Sequence, residues 1–300
     1  MKFYAKGKLL LTAEYAVLGG AKALGLPTKL GQSLDVTKTT KAKIEWKSID
    51  VNGQVWYENS FDKTTFAPQQ KNDAIGQRIQ QLLMAIKELN SKIWSEVNGL
   101  KFVSTLEFDR NWGLGSSSTL ISLFAQWSEV NPYLLLQKVF GGSGYDIACA
   151  TAQGVLIYER TNAINPSVTT VDFNLSFKNQ LFFVHLNKKQ DSQKAVAAFD
   201  SRKLTPAKMK IINKLSLAFL DNLTIENFKN LMREHEMFIG NLIGTTPIQK
   251  RLFNDYPGAI KSLGSWGGDF ILACGSADTA DYFEQKGYNT CLKYQALIDD

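Results

Sequence analysis

Within this 300-residue chain, the segment Gly113-Leu114-Gly115-Ser116-Ser117-Ser118-Thr119 constrains the fold more than any other. It follows an alternating run, Leu100 to Phe108, that reads as a strand. It precedes Leu120, Leu123, Phe124 and Trp127, which fall on one helical face. The chain must therefore turn from strand to helix on backbone that glycine adopts at least cost, and the unpaired N–H groups of a helix start are left at that turn. Such a start attracts anions, because the N–H groups and the helix dipole act in the same direction. Two readings stand at this point: a cradle for phosphate, or a helix capped by serine. A Walker loop is excluded, since no Gly-Lys-Ser/Thr follows, and a serine stands where a dinucleotide fingerprint needs its third glycine.

Around that turn the pattern mixes sheet and helix. Leu9 to Leu11 and Lys41 to Lys47 read as strands, the latter with Ala42, Ile44 and Trp46 on one face, and Val51 to Val55 reads as a hairpin. Helical spacing runs from Asn72 to Asn90 through Ile75, Ile79, Leu82, Leu83, Ile86 and Leu89. A short helix through Leu134 to Val139 ends at Gly141-Gly142, another starts near Tyr145, and Gly154 to Tyr158 reads as a strand. Asn162 to Val168, with Pro166, is the expected boundary between two domains, 1–165 and 166–300. The second half shows strands at Leu181 to Leu186 and Phe270 to Cys274. Its helices are expected near Ser192 to Phe199, from Pro206 to Leu220, and from Glu226 with Phe228, Leu231, Met232, His235, Ile239 and Leu242 on one face. The expected class is α+β.

Composition narrows the partners. With 44% hydrophobic and 21% charged residues the chain is neither disordered nor fibrous. The net charge of +6 comes from scattered lysines rather than dense runs, which favours a small anionic ligand over nucleic acid. Cys149, Cys274 and Cys291 form no CxxC pair, and the first two lie in apolar surroundings, as buried thiols do. No stretch of about 18 apolar residues occurs, so a cytoplasmic protein with no membrane partner is expected.

Three further segments could carry chemistry. Gly141-Gly142-Ser143-Gly144-Tyr145-Asp146 presents one carboxylate at the start of an apolar helix, either as a general base or as a complement to the helix dipole. Gly264-Ser265-Trp266-Gly267-Gly268-Asp269 precedes a strand, as a ligand loop or as a simple turn. Lys6-Gly7-Lys8 through Glu14-Tyr15 to Gly19-Gly20 sets Lys8 before an apolar strand and Glu14 after it.

Taken together, in this order and spacing, the four segments resemble the GHMP kinases, the family of galactokinase, homoserine kinase, mevalonate kinase and phosphomevalonate kinase. The resemblance covers nearly the whole chain. It implies an N-terminal lobe like domain 2 of ribosomal protein S5 and a ferredoxin-like C-terminal lobe, with ATP and substrate between them. Carried to matching positions, it implies that Asp146 takes the proton of the substrate hydroxyl and that Lys8 stabilises developing charge. Gly113, Leu114, Gly115, Ser116, Ser117 and Ser118 would hold the ATP phosphates, with Ser117 near Mg²⁺. Glu14, Ser143, Gly144, Tyr145, Gly267 and Gly268 would line the substrate side, Glu14 more by ordering the opening segment than by acting on substrate.

Glu14-Tyr15-Ala16-Val17-Leu18 resembles the mevalonate branch, and Gly267-Gly268-Asp269 leans toward phosphomevalonate kinase. Mevalonate and phosphomevalonate are thus the expected small-molecule substrates, for a monomer or homodimer; a catalytically lapsed nucleotide-binding relative is the alternative. Departures from the family pattern are Arg110-Asn111-Trp112 before the phosphate loop, Leu135 where a metal-binding glutamate is expected, and Trp266 in place of a glycine. His235, on an apolar helical face, is expected to be a core residue.

Overall fold

Alternation along the sequence builds the strands. β1 (Lys2–Leu10) leads to a single 3₁₀ turn at Ala16–Gly19 and then to β2 (Ala23–Thr39), β3 (Lys43–Ile49) and β4 (Val55–Asp62). In β3 every second residue, Ile44, Trp46 and Ser48, is buried, as a strand with one covered face requires. Ala42 lies just before this strand and is exposed. α1 (Ala74–Leu89), β5 (Gly99–Leu106), α2 (Ser116–Ser128), α3 (Pro132–Val139) and α4 (Tyr145–Thr151) follow, then β6 (Leu156–Glu159) and β7 (Ser167–Thr170). The remainder is β8 (Leu181–His185), α5 (Ser192–Ala198), α6 (Pro206–Ala218), α7 (Ile225–Ile243), α8 (Ile248–Leu252), β9 (Ala259–Ser262), β10 (Phe270–Cys274), α9 (Thr279–Gln285), β11 (Cys291–Lys293) and α10 (Tyr294–Leu297). This computed structural model describes every residue except Lys71, Asn72, Glu96, Asp191 and Asn222, together with the backbone alone of Ser192 and Gln193. Asn72, the expected start of the first helix, therefore lies outside the described residues.

Two compact units emerge, and both are discontinuous in sequence. The first holds residues 1–7, 30–110 and 115–151; the second holds 8–29, 111–114 and 152–300. The expected boundary near residue 165 falls inside the second unit, because Lys8–Lys29 and Ala152–Thr161 pack with the C-terminal half. β2, at 17 residues, is long enough to serve both. Gln32–Thr39 pair antiparallel with β5 in the first unit, and Ala23–Gly25 pair antiparallel with β6 in the second.

In the first unit β3 runs parallel to β5 and antiparallel to β4. Its core is aromatic. Trp46 stacks on Phe124 with ring centroids 5.2 Å apart, while Phe102 and Phe124 meet Trp127 edge-on. Each such ring removes a large apolar area from water and adds a directional ring contact. In the second unit β8, β9, β10 and β11 form an antiparallel sheet in the order β11-β8-β10-β9. With helices between β8 and β9 and between β10 and β11, this is the β-α-β-β-α-β arrangement of a ferredoxin-like sheet. Every residue of β8 and β10 is buried, which explains why both are apolar apart from His185 at the end of β8. Cys149 and Cys274 are fully buried, and burial pushes the Cys274 thiol up to about 11.

Candidate active site

α2 begins without a side-chain cap. Its N-cap is Gly115 at φ +90°, in the left-handed region, and the preceding Gly113 stands at φ +68°. Only glycine takes such angles without strain. The serines behind this turn divide the work. The Ser118 hydroxyl donates to the Gly115 carbonyl at 2.9 Å, and the Thr119 hydroxyl turns back to the Ser116 carbonyl at 3.1 Å. Ser117 is exposed at the helix mouth. The capped-helix reading therefore fails for the N-cap itself, and the first turn presents its N–H groups beside an open hydroxyl.

α4 packs against α2 within the same unit. It is entered through Gly141, Gly142 and Gly144, all at positive φ, which bring the chain around sharply and set Asp146 in the first helical turn. Ser143 and Tyr145 are buried while Asp146 keeps partial exposure. Gly115, Ser116, Ser117 and Ser118 at the start of α2 and Ser143, Gly144, Tyr145 and Asp146 at the start of α4 thus lie in one unit, on helices that pack together.

The second unit gathers Lys8, Gly113, Leu114 and the Gly267-Gly268 loop. The backbone N–H of Lys8 donates to the Leu114 carbonyl at 3.0 Å and its Nζ to the Gly113 carbonyl at 3.1 Å. Asp269, which the sequence reading left out of the site, is packed directly on this turn. A Cβ placed on Gly113 would lie 2.3 Å from Asp269 Cγ, so the glycine is needed for the carboxylate above it as well as for its own φ. Asp269 stands at φ +53° and is 8% exposed; its Oδ1 accepts from the Gln190 N–H at 3.0 Å. Burial raises its pKa, against the pull of that N–H and of the Lys8, His185 and Lys189 charges.

Glu14 is fully buried, bonded to the equally buried Lys261 of β9. Its other carboxylate oxygen lies 3.4 Å from His235 Nε2, and that nitrogen accepts the Ala13 N–H at 2.9 Å. Ala13 and Tyr15 flank the glutamate at φ +60° and +62°. Burial is the leading influence on Glu14, raising its pKa from 4.5 to about 7, while Lys261 pulls the other way. Burial also drives His235 well below its ordinary value, so the ring is neutral, as a core histidine. Beside them Glu236 accepts from the Ser262 hydroxyl at 2.7 Å and the Ser262 N–H at 2.9 Å. Glu14 therefore orders the opening segment from inside the core. Lys261 was missed because a lone lysine in Ala-Ile-Lys-Ser reads as a surface residue.

Of the departures, Leu135 is fully buried on α3, so an apolar site replaces the expected carboxylate. Trp266 is 5% exposed, with its ring edge packed at Gly240 of α7. Arg110 lies over the Trp56 ring, 3.5 Å from its centroid.

No family model and no curated protein matches the chain. Solved structures do. Mevalonate kinase of Methanococcus jannaschii superposes with a TM-score of 0.72 at 17% identity over 98% of both chains. The chain has the GHMP kinase fold. A phosphomevalonate kinase of Streptococcus pneumoniae, in complex with phosphomevalonate and AMPPNP, gives 0.72 at 15% identity over 95% of both chains. The galactokinase of Lactococcus lactis, complexed with galactose, gives 0.64 at 13% identity, covering 97% of this chain and 91% of its own. These likenesses are of fold, and the GHMP kinase fold is here assembled with a ferredoxin-like sheet in the second unit. Among the described residues no helix is long and apolar enough to cross a membrane.

Proposed function

We propose that the chain is an ATP-dependent small-molecule kinase acting in the mevalonate branch, transferring the γ-phosphate to the hydroxyl of mevalonate. The observation that carries this reading is the uncapped start of α2, where left-handed Gly113 and Gly115 expose first-turn N–H groups and an open Ser117 hydroxyl. Phosphoryl transfer asks mainly for positioning and charge neutralisation. In this reading the 113–118 turn holds the phosphates and Asp146 accepts the hydroxyl proton as the oxygen attacks phosphorus. Lys8 offsets the charge that grows on the transferring group. Ser143, Gly144 and Tyr145 of the first unit, and Gly267 and Gly268 of the second, are the proposed substrate contacts.

Among the described residues no group of three His, Cys, Asp or Glu side chains could hold a metal alone. The exposed Ser117 hydroxyl nevertheless fits Mg²⁺, which keeps several waters and takes most of its ligands from nucleotide phosphates. When bound, the ion neutralises phosphate charge. Leu135, buried and apolar, offers no ligand at the position where the family pattern has a glutamate.

The Gly267-Gly268-Asp269 ending favours a second reading, phosphomevalonate kinase, whose acceptor is a phosphate that needs no proton removed. Release of ADP from Mg²⁺-ATP, with mevalonate, 5-phosphomevalonate, homoserine and galactose offered separately, decides between them. Turnover with mevalonate, falling by roughly 10²- to 10⁴-fold in Asp146→Asn, is the expected result. ATP binding without turnover on any of the four would replace this reading with a lapsed, nucleotide-binding relative.

A further inference from the structure

A carboxylate packed on a phosphate-binding turn works against anion binding unless its charge is committed elsewhere. Asp269 is such a group. It fills the space over Gly113, so closely that a Cβ there would meet its two oxygens at 2.5 and 2.6 Å. Gly113 is also the residue whose carbonyl receives Lys8 Nζ.

The backbone of Asp269 is fixed from both sides. Its N–H donates to the Lys188 carbonyl at 2.7 Å and its carbonyl accepts the Leu186 N–H at 2.8 Å. The side chain is fixed too, by the Gln190 N–H. A non-glycine residue at φ +53° costs free energy, although aspartate is among those that tolerate it. Gly267 and Gly268 already supply flexible backbone next to it, so a glycine at 269 would have completed the turn without strain. The groups that favour the ionised carboxylate electrostatically are Lys8 first, then His185 and Lys189. Of these, Lys8 donates to the carbonyl of Gly113 itself, the residue that the carboxylate covers.

We propose that Asp269 is the positioning residue for Lys8: its carboxylate seats on Gly113, fixes the direction of that carbonyl and holds the lysine ammonium beside the phosphate turn. The role of Lys8 in turnover rests on the kinase reading; the seating of Lys8 by Asp269 does not.

Asp269→Asn isolates the charge. Asparagine keeps the size, tolerates left-handed backbone and retains an acceptor for the Gln190 N–H. In the natural chain and in this variant, steady-state kinetics with the accepted alcohol are read beside the rate at which Lys8 is acetylated by acetic anhydride, followed by mass spectrometry, and beside the thermal unfolding midpoint. A displaced lysine should lower kcat by about 10²-fold while KM for ATP moves far less, because the lost interaction is one made in the transition state. Lys8 acetylation should rise severalfold with the unfolding midpoint nearly unchanged. Asp269→Glu, which restores charge but displaces it by one methylene, should recover part of kcat.

Unchanged Lys8 acetylation in Asp269→Asn would overturn the proposal whatever the activity. So would a fall in stability with kcat and KM shifted together, since that is the mark of a purely structural residue. If the natural chain turns over none of the alcohols, the kinase reading fails, and the acetylation rates alone decide the role of Asp269.

Discussion

Glu14 shows how much a single buried residue can set. In the unfolded chain it releases its proton near pH 4.5, but in the fold burial holds the proton until about pH 7. Between those values the folded state binds the extra proton, so the stability contributed by Glu14 falls as the pH rises through that window. His235 acts in the opposite sense: it is kept neutral in the fold, so stability is lost as the pH drops below its ordinary 6.5 and the unfolded ring takes up a proton. Glu14→Gln removes the first effect. The stability advantage of the natural chain over this variant, from urea denaturation, should therefore be larger at about pH 5 than at about pH 7.5. Equal advantages at both values would mean that folding does not move the Glu14 proton. None of this coupling was readable from Thr12-Ala13-Glu14-Tyr15. The motif marked the glutamate, but Lys261 and His235 reach it only through the fold. Asp269 was hidden for the same reason, since its meaning lies in the distant glycine it covers.

At the scale of elements, the helices of the site were legible and the long strand β2 was not. α2 and α4 announced themselves because left-handed turns require glycine, and Gly113, Gly115, Gly141, Gly142 and Gly144 all stand at positive φ. β2 was missed because Gly25, Pro27 and Gly31 interrupt its pattern, although pairing on both sides of the strand sustains it. The start of α2 separates two neighbouring serines. Ser118→Ala should lower stability by roughly 1 kcal/mol, the worth of its bond to Gly115, with little change in Mg²⁺ requirement. Ser117→Ala should leave the unfolding midpoint in place and raise the Mg²⁺ concentration needed for half-maximal turnover; midpoints and Mg²⁺ titrations of the two variants check both statements. On α3, Leu135→Glu tests whether that site accepts the carboxylate expected from the family pattern. Its full burial makes the substitution cost several kcal/mol, read as a lower urea midpoint.

The whole chain joins distant parts of its sequence. The class α+β and the apolar strands β8 and β10 were plain from the residues, but the division into units was not, because a contiguous reading cannot see Lys8–Lys29 packing with Ala152–Asp300. The C-terminal residues are part of that unit. Ile298 is fully buried and bridges Thr28, the Asp299 N–H donates to the Pro27 carbonyl at 3.1 Å, and Asp300 accepts from the Tyr294 hydroxyl at 2.8 Å. Ending the chain after Leu297 should cost about 3 kcal/mol through the lost burial and hydrogen bonds, measured as a fall in the unfolding midpoint.

The same discontinuity bears on synthesis. Lys8–Lys29 is made well before many of the residues it bonds, among them Asn213, His235, Lys261, Ile298 and Asp299. The apolar run Leu9-Leu10-Leu11, buried in the finished fold, is made before residues 152–300, which complete its unit. A nascent chain of this design carries an apolar segment ahead of the residues that cover it, and slowing translation would lengthen that interval rather than relieve it.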